Sequence, residues 1–205
     1  PGYSYHTYAQ SDVYKIDPRY GTNADYRKLA DQLHKREMKL VMDYVTNHWG
    51  AEHWMIKDLP TYDWINQFPG YAQSNYRMET QYDMHAAERD QHYCVEGWFV
   101  KTMPDLNQKN PLVLQYLIQN AIWWIEYANL DGFRVDTYSY NDKEGISRTA
   151  EHLGDLDKAI EFAVSPHRKI RLLIKVERFS EALKLVPGLN NPSEYFELIK
   201  ETAQK

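Results

Sequence analysis

Residues 110–128, NPLVLQYLIQNAIWWIEYA, run almost directly into LDGFRVDT at 130–137. This junction limits the folds open to the chain. The first segment has the length and apolar spacing of a helix. Asn110 can cap it, and Pro111 suits its first turn. The second segment is too short for a helix and reads as a buried strand. An earlier apolar run, KLVMDYV at 39–45, reads as a strand that ends in TNHWG. Before it, Tyr26, Leu29, Ala30 and Leu33 recur at spacings of three and four and predict a helix over about 25–37. Helix, strand, long insert, helix, strand is the order of a parallel α/β unit. In such units functional side chains gather at the carboxyl ends of the strands. Asp43, Asn47 and His48 stand at one such end, and Arg134 and Asp136 at the next.

The insert, 49–110, is rich in Trp, Tyr, Asp, Asn and Gly and carries little regular signal, although GWFVKTM at 97–103 has the look of a short strand. A loop of that length usually has a function of its own. Beyond about residue 149 the character changes. Residues 151–205 contain no Trp and a single Tyr, with nine acidic and nine basic residues. They read as a run of short helices. KIRLLIKVE at 169–177 also alternates like a strand, but the helix signals on both sides favour helix.

Seventeen Tyr and six Trp are present, and all but Tyr195 precede residue 150. Many sit in polar surroundings, which suits ligands such as sugars that have apolar faces and polar edges. An ordinary aromatic core is the competing reading. The net charge of −5 comes with no run of Lys and Arg, which argues against nucleic acid. No apolar run approaches the roughly 20 residues that span a bilayer. The lone Cys94 excludes an internal disulfide framework.

Arg134 and Asp136, two apart, share one face of a strand. A guanidinium beside a carboxylate favours its ionised form, as a nucleophilic carboxylate requires. A structural ion pair is the plainer alternative. Asp43, Asn47 and His48 fit either a polar binding site or a self-satisfied loop cap. His48, His53, Asp43, His92 and Cys94 lack the tight spacing of a transition-metal site.

Four segments then carry a resemblance. YHTY (5–8) with DPRYGT (17–22), VMDYVTNH (41–48), MPDLN (103–107) and DGFRVD (131–136) stand in the order and at spacings similar to those of the alpha-amylase superfamily of glycoside hydrolases, family 13. The nearest likeness is to its neopullulanase and cyclomaltodextrinase branch, over about 3–148. The resemblance implies an incomplete (β/α)8 barrel with its long insert after the third strand; the helical tail over 151–205 lies outside it and looks unrelated. It implies retaining hydrolysis of α-1,4-glucans such as maltodextrin, pullulan or cyclodextrin. The partner is then an α-glucan oligosaccharide or polysaccharide, with neither nucleic acid nor membrane. By residue, it makes Asp136 the nucleophile and Arg134 the group that orients it. Tyr8 would stack on the reacting sugar and His48 would bond its hydroxyls. Asp43, His6 and Tyr140 would line the site. Asn47 matches a position that binds calcium in many members, so calcium is the one cofactor in view. The branch implies a bacterial periplasmic or cytoplasmic setting.

The departures are equally specific. Thr7 stands where the family's first motif has glycine. Ser139 and Tyr140 stand where its amylases often have Lys-His. Glu37 stands where a glycine usually precedes the third strand. The family's general acid and third carboxylate have no counterpart, with Glu177 the one weak candidate for the acid. The expectation is therefore a partial catalytic domain that turns over poorly, or a sugar-binding remnant. An interaction protein built on the helical tail is the third reading.

Overall fold

The computed structural model describes residues 4–68 and 70–203. The chain forms two compact units, Pro1–Asn141 and Asp142–Lys205.

The first unit holds helix α1 (Asn23–His34), strand β1 (Val41–Val45), helix α2 (Glu88–Val95), helix α3 (Pro111–Ala128) and strand β2 (Gly132–Asp136). β1 and β2 pair in parallel with Asp43 opposite Arg134 and Val45 opposite Asp136. A mixed α/β core with a small, unclosed parallel sheet results, as expected of an incomplete barrel. α3 is the crossover. Asn110 accepts from the Leu112 amide, Pro111 opens the helix, and Asn129 closes it in the left-handed conformation that Asn tolerates. Val113, Leu114, Leu117, Ala121, Trp124 and Ala128 form its buried face. The Trp124 indole and the Asn120 amide both donate to the Val13 carbonyl, at 2.9 and 3.1 Å. The Tyr44 hydroxyl donates to Asn120 Oδ1 and to the Leu117 carbonyl, each at 2.9 Å. One face of β1 is thereby fastened to α3, and the other face presents Val41 and Asp43.

The insert packs onto α3 in a core shared with Val13, Val113 and Leu117. Trp49, Met55, Trp64, Ile65, Trp98 and Leu106 pack together. The strand expected over GWFVKTM is absent. Trp98 makes a single bridge to Gln73, and residues 99–102 are turn.

The second unit contains α4 (Lys143–His152), α5 (Leu156–Phe162), α6 (Pro166–Lys175), α7 (Phe179–Leu185) and α8 (Pro192–Ala203). Asp142, Asp155 and Ser165 each accept from a first-turn amide. The core gathers Ala159, Ile160, Ile170, Leu173, Ala182, Val186, Tyr195 and Ile199. KIRLLIKVE is helical up to Lys175. Glu177 follows in the left-handed region, φ 60°, and the Arg178 amide donates back to the Leu173 carbonyl at 2.8 Å. Glu177 therefore sits at a helix stop of the kind usually made by glycine. It does not end a strand, so the setting expected of a fifth-strand acid is missing.

Candidate active site

The site is built where β1 and β2 end. Register sets Asp43 beside Arg134, and the two-residue repeat sets Asp136 on the same face. Arg134 Nη1 donates to both oxygens of Asp43, at 2.8 and 3.0 Å, and to Asp136 Oδ1 at 2.7 Å. Asp136 Oδ2 makes no hydrogen bond among the described residues. The Asp136 side chain is 15% exposed, whereas Asp43 and Arg134 are 46% and 56% exposed. The two carboxylates hold the guanidinium firmly charged, Asp43 contributing first.

Tyr8 reaches this cluster from the other end of the unit. Its hydroxyl donates to Asp43 Oδ2 at 3.1 Å, a bond that raises its pKa. The Tyr8 amide donates to His6 Nδ1 at 3.1 Å, and the two rings stack at 5.5 Å. The Tyr8 segment is fixed through Gly50, whose amide donates to the Gln10 carbonyl at 2.8 Å. A Cβ on Gly50 would lie 2.6 Å from the Ala9 carbonyl oxygen, so no other residue fits there without displacing the segment. Thr7, in the place of the expected glycine, takes φ 70°. The turn keeps its left-handed shape and Thr7 bears the strain.

His48 lies behind the cluster and is 1% exposed. Burial pushes its pKa down to about 4, against the opposing pull of Asp136. Its ring is neutral near pH 7, so one ring nitrogen can donate and the other accept. The Phe99 ring meets it edge-on at 5.2 Å.

The structure thus joins Tyr8, His6, Asp43, Arg134, Asp136 and His48. Tyr140 lies in the turn Tyr138–Tyr140 just beyond β2, edge-on to Phe99 at 4.8 Å. That turn is held by Asn141, whose Oδ1 accepts from Thr46 Oγ1 at 2.7 Å and from Gln108 Nε2.

Asn47 faces elsewhere. Its amide donates to Asp105 Oδ1, and Asn66 donates to Asp105 Oδ2, both at 2.8 Å. Asp105 is fully buried, which raises its pKa well above the usual carboxylate range. Calcium takes six to eight oxygens. Here two N–H donors already cover the one carboxylate, and no group of three or more His, Cys, Asp or Glu gathers among the described residues. As arranged, the Asp105 carboxylate is committed to Asn47 and Asn66. Phe99 and Asp105 are absent from the expectations drawn from sequence. MPDLN pointed to Asp105 only as part of a motif, and GWFVKTM hid Phe99 inside an apparent strand.

Parallel strands thus bring two carboxylates onto one guanidinium at their carboxyl ends, where α/β folds place their sites. Residues 3–176 match the family described as "Alpha amylase, catalytic domain", a span that runs beyond 148 through α4, α5 and α6. The chain belongs to the alpha-amylase family of glycoside hydrolases. It is 32% identical over 145 residues to alpha-amylase 3 of Dictyoglomus thermophilum, covering 69% of this chain and 28% of that protein. It is 32% identical over 142 residues to neopullulanase 2 of Thermoactinomyces vulgaris, covering 65% of this chain and 22% of that protein. The alpha-amylase of Geobacillus thermoleovorans, solved with acarbose, superposes with a TM-score of 0.62 at 34% identity, covering 74% of this chain and 31% of that one. The chain therefore spans less than a third of the length of these relatives. No helix among the described residues is long and apolar enough to cross a membrane.

Proposed function

We propose that this chain carries the nucleophile half of a retaining site for α-1,4-glucans. The observation that supports this most directly is the Arg134 guanidinium shared by Asp43 and Asp136. It leaves Asp136 Oδ2 free beside Tyr8 and His48. In this reading Tyr8 and His48 hold the reacting glucose, Arg134 aligns Asp136, and Asp136 attacks the anomeric carbon. The glycosidic C–O bond breaks as the glycosyl–carboxylate ester forms. His6 supports Tyr8, and Tyr140 borders the leaving-group side.

The leaving oxygen needs a proton from a second carboxylic acid about 5–5.5 Å from the nucleophile. Asp43 does not suit that role, because it accepts from both Arg134 and Tyr8 and so is bonded as an anion. No calcium step is invoked. The reading therefore separates two activities. Natural glucans should bind and turn over poorly. A sugar with a leaving group that needs no proton should react.

α-Maltosyl fluoride provides that sugar, since fluoride departs with the bonding pair unaided. The ester left on Asp136 should accumulate when a 2-deoxy-2-fluoro derivative slows its hydrolysis. Mass spectrometry should then find one added glycosyl group on the peptide bearing Asp136. Calorimetric binding of maltoheptaose without any such label would leave a sugar-binding protein in place of the proposed half-site.

A further inference from the structure

The residue that follows Asp136 is held in a conformation that its side chain disfavours. Thr137 takes φ 52° and ψ 33°, a left-handed backbone that a β-branched residue rarely adopts. There β2 ends, and the chain turns at once into Tyr138–Tyr140. Strain of this kind persists only where the surroundings over-determine the backbone. The Tyr140 amide donates to the Thr137 carbonyl at 2.9 Å, a bond internal to the turn. The anchor to the rest of the unit is the side chain of Asn141, which is 2% exposed. Its Nδ2 donates to the same Thr137 carbonyl at 2.9 Å, and its Oδ1 accepts from Thr46 Oγ1 and Gln108 Nε2. Gln108 Nε2 also donates to the Thr46 carbonyl at 3.1 Å. Thr46 directly follows β1, and Gln108 lies two residues before the cap of α3. One buried amide thus ties the turn after Asp136 to the end of the neighbouring strand and to the foot of the crossover helix.

Asp136 has few other restraints. Among the described residues its carboxylate accepts one hydrogen bond, from an Arg134 that is half exposed and shared with Asp43. An ion pair so open to water is a weak constraint. The backbone must supply the rest of the aim, and the backbone on the far side of Asp136 is the turn that Asn141 clamps.

We propose that Asn141 is a positioning residue: by holding the left-handed turn at Thr137 it sets the direction in which Asp136 presents its free oxygen. This assignment rests on the half-site reading above. Asn141 acts through Thr137, so its loss should slow the covalent step and leave sugar binding in place.

The test is a double-mutant cycle on the rate of labelling by the 2-deoxy-2-fluoro maltosyl fluoride, per folded molecule and well below each melting temperature. Asn141→Ala should slow labelling about tenfold, the scale of a small misalignment of reacting atoms. Maltoheptaose affinity should stay within about twofold. Thr137→Gly adopts the left-handed conformation without strain, so the turn no longer depends on the clamp. In the T137G background the N141A change should cost less than about twofold in rate. Thr46→Val removes one anchor of Asn141 at nearly constant shape and carries the same cycle where N141A fails to fold, with slowing of about threefold that T137G again cancels. A mere fastener between strands would lower the melting temperature in both backgrounds and leave the rate per folded molecule unchanged. That result, or equal slowing in both backgrounds, overturns the positioning role and leaves the half-site standing. An unsubstituted chain that takes no label overturns the half-site reading itself, before any variant is compared.

Discussion

The two ends of one strand pair carry carboxylate clusters with opposite balances of donor and acceptor. At the amino end a single carboxylate, Asp131, accepts from Lys39 Nζ at 2.9 Å, from the Leu40 amide at 2.8 Å and from His34 Nε2 at 2.8 Å. These donors, Lys39 foremost, hold the Asp131 pKa well below the usual range. The amide of Asn129 donates to the other nitrogen of His34, which completes a tie between the ends of α1, α3 and both strands. At the carboxyl end two carboxylates divide one guanidinium nitrogen and a tyrosine hydroxyl. Saturation makes the first cluster a fastener with nothing left for a ligand. Shortage of donors leaves the second with a free carboxylate oxygen. The hydrogen-bond balance, more than the count of charged residues, tells the two ends apart.

The sharpest way to break this contrast is to remove one carboxylate from each end without changing its shape. Asp136→Asn should abolish covalent labelling by the maltosyl fluoride, to below detection, with little change in melting temperature. Asp131→Asn should leave labelling intact and lower the melting temperature by a few degrees, because His34 and Lys39 lose their anion. Labelling that survives D136N would show that the free oxygen is not the nucleophile.

Arg134→Ala comes next in size. It removes the donor that both carboxylates share and leaves them facing each other. The labelling rate should fall roughly ten- to hundredfold, the scale of losing charge-assisted hydrogen bonds that hold a nucleophile in line. Arg134→Lys should recover part of that rate, since one cation returns without the planar geometry. Rates equal to the unsubstituted chain in R134A would reduce the ion pair to a structural one.

Acid should separate stability terms by pH window. His48 and His53 are buried and held down to about 4. Unfolding returns them to about 6.5, so between these values the unfolded chain binds more protons. Stability should be full above about pH 6.5 and fall on acidification toward pH 4. The slope for two histidines approaches ~2.7 kcal/mol per pH unit. Asp131 acts in the same direction at lower pH, because its folded value is also depressed. Its contribution is present above the usual carboxylate value and is lost only as pH falls further, through its depressed folded value. Asp105 works against the histidines, because its raised carboxyl keeps a proton more readily in the folded state. His53→Gln isolates the histidine term, since Asp105 is common to both proteins. Urea unfolding at pH 7 and pH 5 should show a clearly smaller loss in H53Q. An equal loss would mean that His53 does not carry the acid sensitivity.

How far the sequence could be read follows the same division. α3 was legible because Asn110, Pro111 and an apolar face all signal one helix. The shared face of Arg134 and Asp136 followed from strand periodicity alone. The insert was not legible, because α2 is short and Ala87, at its N-cap, offers no capping side chain. The pairing of Asn47 with Asp105, 58 residues away, depends on how the insert folds back and leaves no local trace. Glu177 misled for a related reason. KIRLLIKVE alternates in hydropathy over a length at which helix and strand patterns overlap. What distinguishes them is the stop that Glu177 itself forms, and a glutamate gives no hint of a left-handed turn.

The smallest predicted effect again sets one end against the other. Glu37 ends α1 at φ 59°, where its Cβ crowds the backbone, and the Met38 amide donates back to the Leu33 carbonyl at 3.0 Å. Glu37→Gly should therefore stabilise the protein by about 1 kcal/mol, read as a rise of roughly 2–4 °C in melting temperature. It borders the amino-end cavity of about 390 Å³ with His34, Lys39 and Asp131, and sugar affinity should not change. Thr7→Gly relieves a similar strain at φ 70°, but next to Tyr8. There the added freedom loosens the ring that meets the sugar. Stability should rise as before while maltoheptaose affinity drops by two- to threefold, the usual exchange between relief of strain and readiness of a site. If both glycine variants gained stability and neither lost affinity, the strain at Thr7 would have no part in holding Tyr8.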